Sequence, residues 1–336
     1  MQFKVIRYVV ISAVFLALFV VMLGAYTRLT DAGLGCPDWP GCYGHMVLPS
    51  TQNKLDSAQN LYPQIPIESR KAWTEMAHRY AAGTLGILIL FIAGFTFIKR
   101  IKGFSLPWKL PLALIFLVLF QAALGMWTVT LKLLPVVVMG HLLGGILIFA
   151  CLCRLAIQLS PVKIQNLRQW WFWICLGLII VFCQIALGGW VSSNYAGIAC
   201  IGFPQCNGQW LPPLHFSKGF NLFAPVGANY QGGVLDNEIR MTIQFIHRLG
   251  AVITALYILI LSSLLLFKVE NRSLRICASL AILLILIQFL LGILNVVYLL
   301  PLWVAVAHNG VAALLMGLIL MMLYLSQGRF SYARKD

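Results

Sequence analysis

The chain has 336 residues, of which 61% are hydrophobic and only 10% are charged, and its formal net charge is +15. This composition excludes an ordinary soluble domain, because several apolar runs reach the roughly 20 residues that a helix needs to cross a bilayer. A net charge of +15 alone would suit a nucleic-acid partner, but the distribution of the basic residues, given below, excludes that class.

The predicted elements are eight membrane-spanning helices, so the predicted fold class is an all-α polytopic membrane protein. The first run follows Lys4 and Arg7, as a signal peptide would, but it is long and its LGAYTRL end lacks a small-x-small cleavage site. We therefore interpret it as a membrane anchor. In chain order the predicted spans are Tyr8–Tyr26, Met76–Ile98, Leu110–Val129, Pro135–Ile157, Trp170–Val191, Ile239–Phe267, Leu274–Leu299 and Pro301–Leu325.

The basic residues are concentrated on one side of these spans. If the amino terminus is inside, the inner face carries 15 of the 24 basic residues but only Glu270 and Asp336 among the acidic ones. This positive-inside distribution predicts that both termini are cytoplasmic and that the long loops 27–72 and 192–238 lie outside. The 15 basic residues are Lys4, Arg7, Lys99, Arg100, Lys102, Lys109, Arg154, Lys163, Arg168, Lys268, Arg272, Arg275, Arg329, Arg334 and Lys335.

Three segments of the first half recur in order in the second half, at offsets between 164 and 169 residues. The matched pairs are LGAYTRLTDAGLGCPDWPGCYG with LGGWVSSNYAGIACIGFPQCNG, EMAHRYAAGTLG with QFIHRLGAVITA, and FQAALGMWTVTLKLLPVVVMGHLLGG with IQFLLGILNVVYLLPLWVAVAHNGVA. The pattern predicts two four-helix halves, 1–158 and 170–336, joined by a cytoplasmic linker, 159–169. Because each half starts inside, the repeats are predicted to be parallel and related by an axis along the membrane normal.

Four of the six histidines lie in predicted spans, and the repeat superimposes them as two pairs: His78 with His141, and His247 with His308. A lone intramembrane histidine is typical of an interhelical hydrogen bond. Two repeat-related pairs at matched depth instead favour two bis-histidine haem sites, because imidazoles from facing helices suit a planar haem with both axial positions available. Zinc would require more ligands, and no cysteine or acid recurs beside both pairs.

Glu75 precedes His78 by one helical turn, so both side chains are predicted to share a face. The repeat places Gln244 at the matching position, and an amide cannot exchange a proton at neutral pH. This asymmetry favours a first half that chemically modifies the haem bound there and a second half that holds a permanent electron-transfer haem. The alternative is that Glu75 only forms an ion pair with Arg79 or Arg70.

Arg79 and Arg248 directly follow the two histidines of the matched segments. One interpretation is that they extend to the membrane edge. The other is that each forms a salt bridge with a haem propionate and so orients the propionates outward. The sequence leaves both interpretations open.

The outer loops carry two repeat-related C-x5-C pairs, Cys36 with Cys42 and Cys200 with Cys206. The outside of a bacterial inner membrane is oxidising, so we expect two intraloop disulfides. One interpretation is that these disulfides only stabilise the loops. The alternative is a reactive disulfide that exchanges with a thiol protein. The lack of a C-x-x-C motif favours the structural interpretation.

The motifs TRLTDAGLGCPDWPGC, EMAHRYAAGTLG, MGHLLGG, IQFIHRLGAV and VAHNG together resemble the haem A synthase family, in its bacterial form with cysteine pairs in the outer loops. The resemblance covers essentially the whole chain. It implies oxidation of a ring methyl of haem O to the formyl group of haem A, through successive hydroxylations with oxygen from water. It also implies that Glu75 is the catalytic acid, that His78 and His141 ligate the substrate haem, and that His247 and His308 bind a cofactor haem b.

The resemblance further implies a multi-pass protein of the bacterial inner membrane, surrounded by lipid, that supplies haem A to terminal oxidases. A haem O synthase and an electron acceptor are the expected partners, and homo-oligomerisation stays open.

Two other functions share some of these features. A cytochrome b-like electron carrier with two permanent haems would use the same histidines but would not need Glu75. A transporter would suit the tandem repeat, but it predicts ionisable groups near the midplane, whereas here they cluster towards one face.

Overall fold

The computed structural model describes residues 2–160, 162 and 166–328. Part of the predicted linker 159–169 therefore lies outside the described residues. So do five charged residues used in the topology prediction: Lys163, Arg329, Arg334, Lys335 and Asp336.

The described residues form ten helices and no strand. Eight of these helices, all except the short α2 and α7, are long and apolar enough to cross a membrane. The predicted all-α class with eight spans is therefore confirmed, and the chain is a multi-pass membrane protein. The helices are α1 (Gln2–Leu29), α2 (Gln52–Leu61), α3 (Ser69–Ile101), α4 (Lys109–Thr130), α5 (Pro135–Gln158), α6 (Arg168–Ser193), α7 (Phe216–Gly219), α8 (Asn237–Lys268), α9 (Arg272–Val297) and α10 (Leu302–Ser326).

Most spanning helices are longer than their predicted apolar cores, and α3 begins at Ser69 rather than Met76. Hydropathy marks the residues that suit the bilayer, whereas helical hydrogen bonding continues into the polar flanks. Two spans are instead shifted: α10 begins one residue after the predicted Pro301, and α9 ends two residues before the predicted Leu299. There the backbone turns left-handed at Leu299 and Leu300, with φ of 54° and 63°, and the Leu300 N–H donates to the Asn295 carbonyl at 2.8 Å. Such a left-handed end closes a helix.

The long helices pack as two groups with the same contact pattern. In the first group α1 contacts α3 and α5, and α4 contacts the same two helices. In the second group α6 and α9 each contact α8 and α10. The groups meet where α5 packs against α10, flanked by contacts of α1 with α10 and of α5 with α6. Gly317 lets α10 approach α5 closely, because a Cβ there would lie 2.9 Å from a ring carbon of Phe149.

The disulfides Cys36–Cys42 and Cys200–Cys206 close the two predicted C-x5-C loops. The first loop has its own small apolar core, which includes Cys36, Cys42 and Tyr43. The Tyr43 hydroxyl donates to the Pro66 carbonyl at 2.9 Å, and burial raises the pKa of Tyr43. The loops are thus packed structures that join α1 to α3 and α6 to α8.

Candidate functional site

The first histidine pair lies between α3 and α5. The ring centroids of His78 and His141 are 6.3 Å apart, and the ring planes are inclined at 81°. The Nδ1 atom of each ring is buried and has no hydrogen-bond partner among the described residues. Glycines from α1 and α4 make room for the rings: a Cβ would lie 2.9 Å from His78 Cε1 at Gly24 and 3.1 Å from His141 Cε1 at Gly125.

The second histidine pair, His247 of α8 and His308 of α10, lines one cavity of about 1020 Å³. This volume is at the upper end of the range for small-molecule and cofactor pockets, roughly 300–1,000 Å³. Glycines again lie against the rings, because a Cβ would be 3.1 Å from His247 Cε1 at Gly188 and 3.4 Å from His308 Cε1 at Gly292. The cavity is therefore large enough for a tetrapyrrole, and its two imidazoles come from different helices.

The structure thus brings together the members of each predicted histidine pair. Sequence reasoning missed the four glycines that make room for the imidazoles. The signal was present in the repeat, since Gly24 matches Gly188 and Gly125 matches Gly292 in the aligned segments. Alignment alone could not distinguish a glycine against a ring from a glycine in helix packing.

Glu75 is 5% exposed and is bound by the first cysteine loop. Its Oε2 accepts the Cys36 N–H at 2.9 Å, and its Oε1 pairs with Arg79. The ion pair with Arg79 that the sequence offered as an alternative is therefore present. Gln244, which is 6% exposed, instead donates to the Gly197 carbonyl at 3.2 Å.

Arg79 binds the backbone of the first cysteine loop. Its Nη1 lies 3.0 Å from the Asp38 carbonyl oxygen, 3.2 Å from that of Pro40 and 2.6 Å from that of Gly41. Together with the Glu75 ion pair, these contacts hold the loop against the start of α3.

Arg248 makes the corresponding contacts with the second cysteine loop. Its guanidinium donates to the carbonyls of Gly202 at 2.8 Å and Gln205 at 3.2 Å, and to that of Cys200. Gly202 and Gln205 are the repeat counterparts of Asp38 and Gly41. The structure therefore gives both arginines a loop-binding role that sequence reasoning missed, and their contact with propionates stays a prediction.

The available donor set favours a two-ligand centre. No group of three or more His, Cys, Asp or Glu that could hold a metal ion occurs in the described part of the chain. Two imidazoles from different helices are instead ligands that a haem iron accepts from protein. Buried Nδ1 atoms without partners are costly unless a ligand or a bound group satisfies them.

Known proteins match this chain over most of its length. The COX15-CtaA family, described as cytochrome oxidase assembly protein, matches residues 7–320. A heme A synthase of Shewanella oneidensis is 47% identical over 306 residues, which cover 89% of this chain and 90% of the relative. Heme A synthases of Shouchella clausii and Chelativorans sp. are 27% identical over 289 residues and 29% identical over 321 residues. They cover 82% and 89% of this chain, and the matches span 81% and 84% of the two relatives. This chain belongs to the COX15-CtaA family of cytochrome oxidase assembly proteins.

Proposed function

We propose that this protein is a haem A synthase, an oxidoreductase that converts a ring methyl of haem O into the formyl group of haem A. The observation that carries the proposal is the 47% identity to the Shewanella oneidensis heme A synthase over nearly the full length of both chains. Two histidine pairs in eight spanning helices support it, because an enzyme with a haem substrate and a haem cofactor needs two haem sites.

The residues at both sites fit a haem. In the first half, His78 and His141 would ligate the iron of haem O, and their rings lie within 6.3 Å of each other. In the second half, His247 and His308 would bind haem b in the cavity of about 1020 Å³. When bound, haem b supplies one-electron transfer. The segments 1–158 and 170–336 are then a substrate half and a cofactor half, joined by a linker at 159–169.

The reaction adds oxygen from water to the methyl carbon and removes protons and electrons from it. Glu75 is the residue that we assign to proton transfer, because it is a buried carboxylate one turn from His78. Cys36 N–H and the Arg79 guanidinium hold the carboxylate in place and stabilise its negative charge. Gln244 at the matching place of the second half cannot take up a proton.

The arginines that follow the histidines are proposed to face the haem edges from the outer side. Arg79 and Arg248 donate to loop carbonyls, and a propionate would be a further acceptor for each guanidinium. We propose a location in the bacterial inner membrane, with a haem O synthase as the source of substrate and a separate electron acceptor.

The proposal is tested by haem chromatography. The protein is expressed in a bacterial host that makes haem O but no haem A, and haems are extracted from membranes with and without it. We expect haem A, with its formyl group, only in membranes that contain the protein. A cytochrome b-like carrier would leave the haem types unchanged, so identical haem profiles at verified expression would contradict the proposal.

A further inference from the structure

Three arginines line the cavity that contains His247 and His308: Arg28, Arg240 and Arg248. Haem b, the cofactor proposed for this cavity, carries two propionate carboxylates. A carboxylate in a buried site requires a cationic or hydrogen-bonding partner. The lining arginines are therefore the candidates to bind the propionates, and one of them, Arg28, comes from the first half of the chain.

Arg28 reaches this cavity from the carboxyl end of α1. Its Nη2 donates to the Ser192 carbonyl at 2.6 Å. Ser192 follows Gly188 by one turn of α6, and a Cβ at Gly188 would lie 3.1 Å from His247 Cε1. Because four residues of helix rise about 6 Å, the Arg28 guanidinium contacts α6 about one turn beyond the His247 ring, towards the second cysteine loop.

The charge of Arg28 is only partly balanced by the described residues. Its side chain is 15% exposed, and its Nη1 lies 3.5 Å from Oδ1 of Asp31, whose side chain is 51% exposed. The same Asp31 oxygen accepts the Tyr195 hydroxyl at 3.1 Å. The Nε atom of Arg28 is buried and has no hydrogen-bond partner among the described residues. A largely buried guanidinium with a spare donor favours a further anion.

This contact across the two halves is one-sided. At the 164-residue offset of the first repeated segment, Ser192 is the counterpart of Arg28 and Tyr195 is the counterpart of Asp31. An uncharged serine cannot offer a cation to the first-half site. The second-half cavity therefore receives a positive charge from the other half, and Ser192 gives none in return.

We propose that Arg28 binds a propionate of haem b, so that a residue of the first half completes the haem b site of the second half. This inference rests on the proposed function, which assigns haem b to the second half. Arg28 is a further anchor beside Arg248, whose guanidinium already donates to three loop carbonyls. A propionate at Arg28 accepts from the spare Nε and balances the buried charge.

The competing interpretation is that Arg28 serves the haem O site of its own half. Gly24 lies one turn before Arg28 on α1, and a Cβ at Gly24 would lie 2.9 Å from His78 Cε1. The position of Arg28 in the lining of the second-half cavity favours haem b. The test below separates the two haems.

The test compares haem b with its dimethyl ester, in which both propionates are neutral. The sample is full-length protein purified with its haem b, or loaded with the ester by exchange, in a His141→Ala background that removes a proposed ligand of the first-half site. Transfer of each haem to apomyoglobin is followed by absorbance. We expect Arg28→Gln to accelerate haem b transfer about 10–100-fold and to leave ester transfer unchanged, because the ester carries no charge for Arg28 to bind.

The midpoint potential is a second measurement on the same samples. Arg28→Gln should lower the haem b potential, because loss of a nearby positive charge favours the oxidised iron. Arg28→Lys keeps the charge and should restore part of the retention, which keeps the test valid if Arg28→Gln accumulates poorly. Tyr195→Phe is the matched control, because it removes the hydrogen bond to Asp31 between the halves and keeps the ring that lies 3.9 Å from the Arg28 Cζ. It should leave both transfer rates unchanged.

The outcomes separate this inference from the proposed function. Protein that purifies without haem b would overturn both. Haem b that transfers as fast as its ester from protein with Arg28 intact would exclude a propionate contact and leave the proposed function standing. The same holds if Arg28→Gln leaves haem b transfer unchanged or accelerates both haems equally. In cells that make haem O, an Arg28→Gln protein that loses haem O and keeps haem b would place Arg28 at the first-half site and overturn the inference.

Discussion

Each of the four intramembrane histidines has a glycine against its ring carbon Cε1, and the four glycines come from four different helices. The separations from a built Cβ range from 2.9 Å at Gly24 to 3.4 Å at Gly292. A close-packed interior cannot absorb an added methyl group without a shift of the neighbouring atoms. We therefore infer that these glycines set the positions of the imidazoles.

Gly24→Ala should impair the first-half site while leaving the fold intact. The new methyl group would push the His78 ring, and a misplacement of about 1 Å in a reacting geometry can cost on the order of 10²-fold in rate. We expect a large fall in haem A yield, measured by chromatography of extracted haem. Gly83→Ala is the control, because a Cβ at Gly83 meets nothing within 4 Å. Equal haem A yields in the two variants would contradict the role of Gly24.

His308→Ala should remove haem b from the purified protein. It deletes one of the two residues that would bind the haem iron in the second-half cavity, so the low-spin haem signal in the visible spectrum should be lost. His215→Ala provides the control, because His215 lies in the outer loop and its Nε2 is 3.6 Å from Glu238. A fully retained low-spin spectrum in His308→Ala would exclude this ligand assignment.

At the scale of elements, each cysteine loop is held in three ways: by its disulfide, by an arginine bound to its carbonyls and by the residue one turn before the histidine. In the first loop these are Cys36–Cys42, Arg79 and Glu75. The contacts that position Glu75 for proton transfer are therefore the same contacts that hold the loop. A disturbance of the loop should reach Glu75 through the Cys36 N–H.

Arg79→Gln should loosen the first loop. Hydrogen bonds to charged groups contribute about 1.5–3 kcal/mol each, and the Arg79 side chain is largely buried. We expect backbone hydrogen exchange over residues 36–43 to accelerate on the order of 10–100-fold, measured by mass spectrometry. Arg70→Gln, an exposed arginine of the same helix, is the control. Exchange that is unchanged in Arg79→Gln would show that the carbonyl contacts do not hold the loop.

The sequence predicted the elements well, because a spanning helix must be apolar over a length fixed by the bilayer. It predicted the histidine pairs and the disulfides because the repeat duplicates them. It could not predict the loop contacts of Arg79, since these depend on which backbone atoms two distant segments bring together. The predicted end of α9 at Leu299 was also wrong, because apolar residues continue past the left-handed turn.

At the scale of the whole molecule, the two halves meet at repeat-related residues. The Arg28 guanidinium donates to the Ser192 carbonyl at 2.6 Å, and the Tyr195 hydroxyl donates to Asp31 at 3.1 Å. Each pair is separated by 164 positions, which is the offset of the first repeated segment. Contacts between equivalent positions are expected near a two-fold axis, so they are consistent with a two-fold relation between the halves, and the parallel arrangement stays a prediction.

The predicted orientation gives a direct test of topology. A fluorescent protein fused to the carboxyl terminus should fluoresce, because that terminus is predicted to be cytoplasmic. Alkaline phosphatase at the same place should be inactive, whereas phosphatase inserted after Gly227 in the second outer loop should be active. The reverse pattern would contradict the orientation.

The central claim is that the two halves have different functions: haem O is oxidised in the first half, and the second half holds a permanent haem b. Glu75→Gln tests it most directly, because it gives the first half the amide that the second half has at Gln244 and barely changes the side-chain volume. Gln244→Glu is the matched control and should leave haem A synthesis intact.

The measurement is chromatography of haem extracted from cells that carry each variant at matched protein level. General acid–base groups contribute about 10²–10⁴-fold in rate, so Glu75→Gln should retain haem b, accumulate haem O or a hydroxylated intermediate and make little haem A. Near-normal haem A in Glu75→Gln would contradict the division of labour and would leave Glu75 as the structural partner of Arg79 and Cys36.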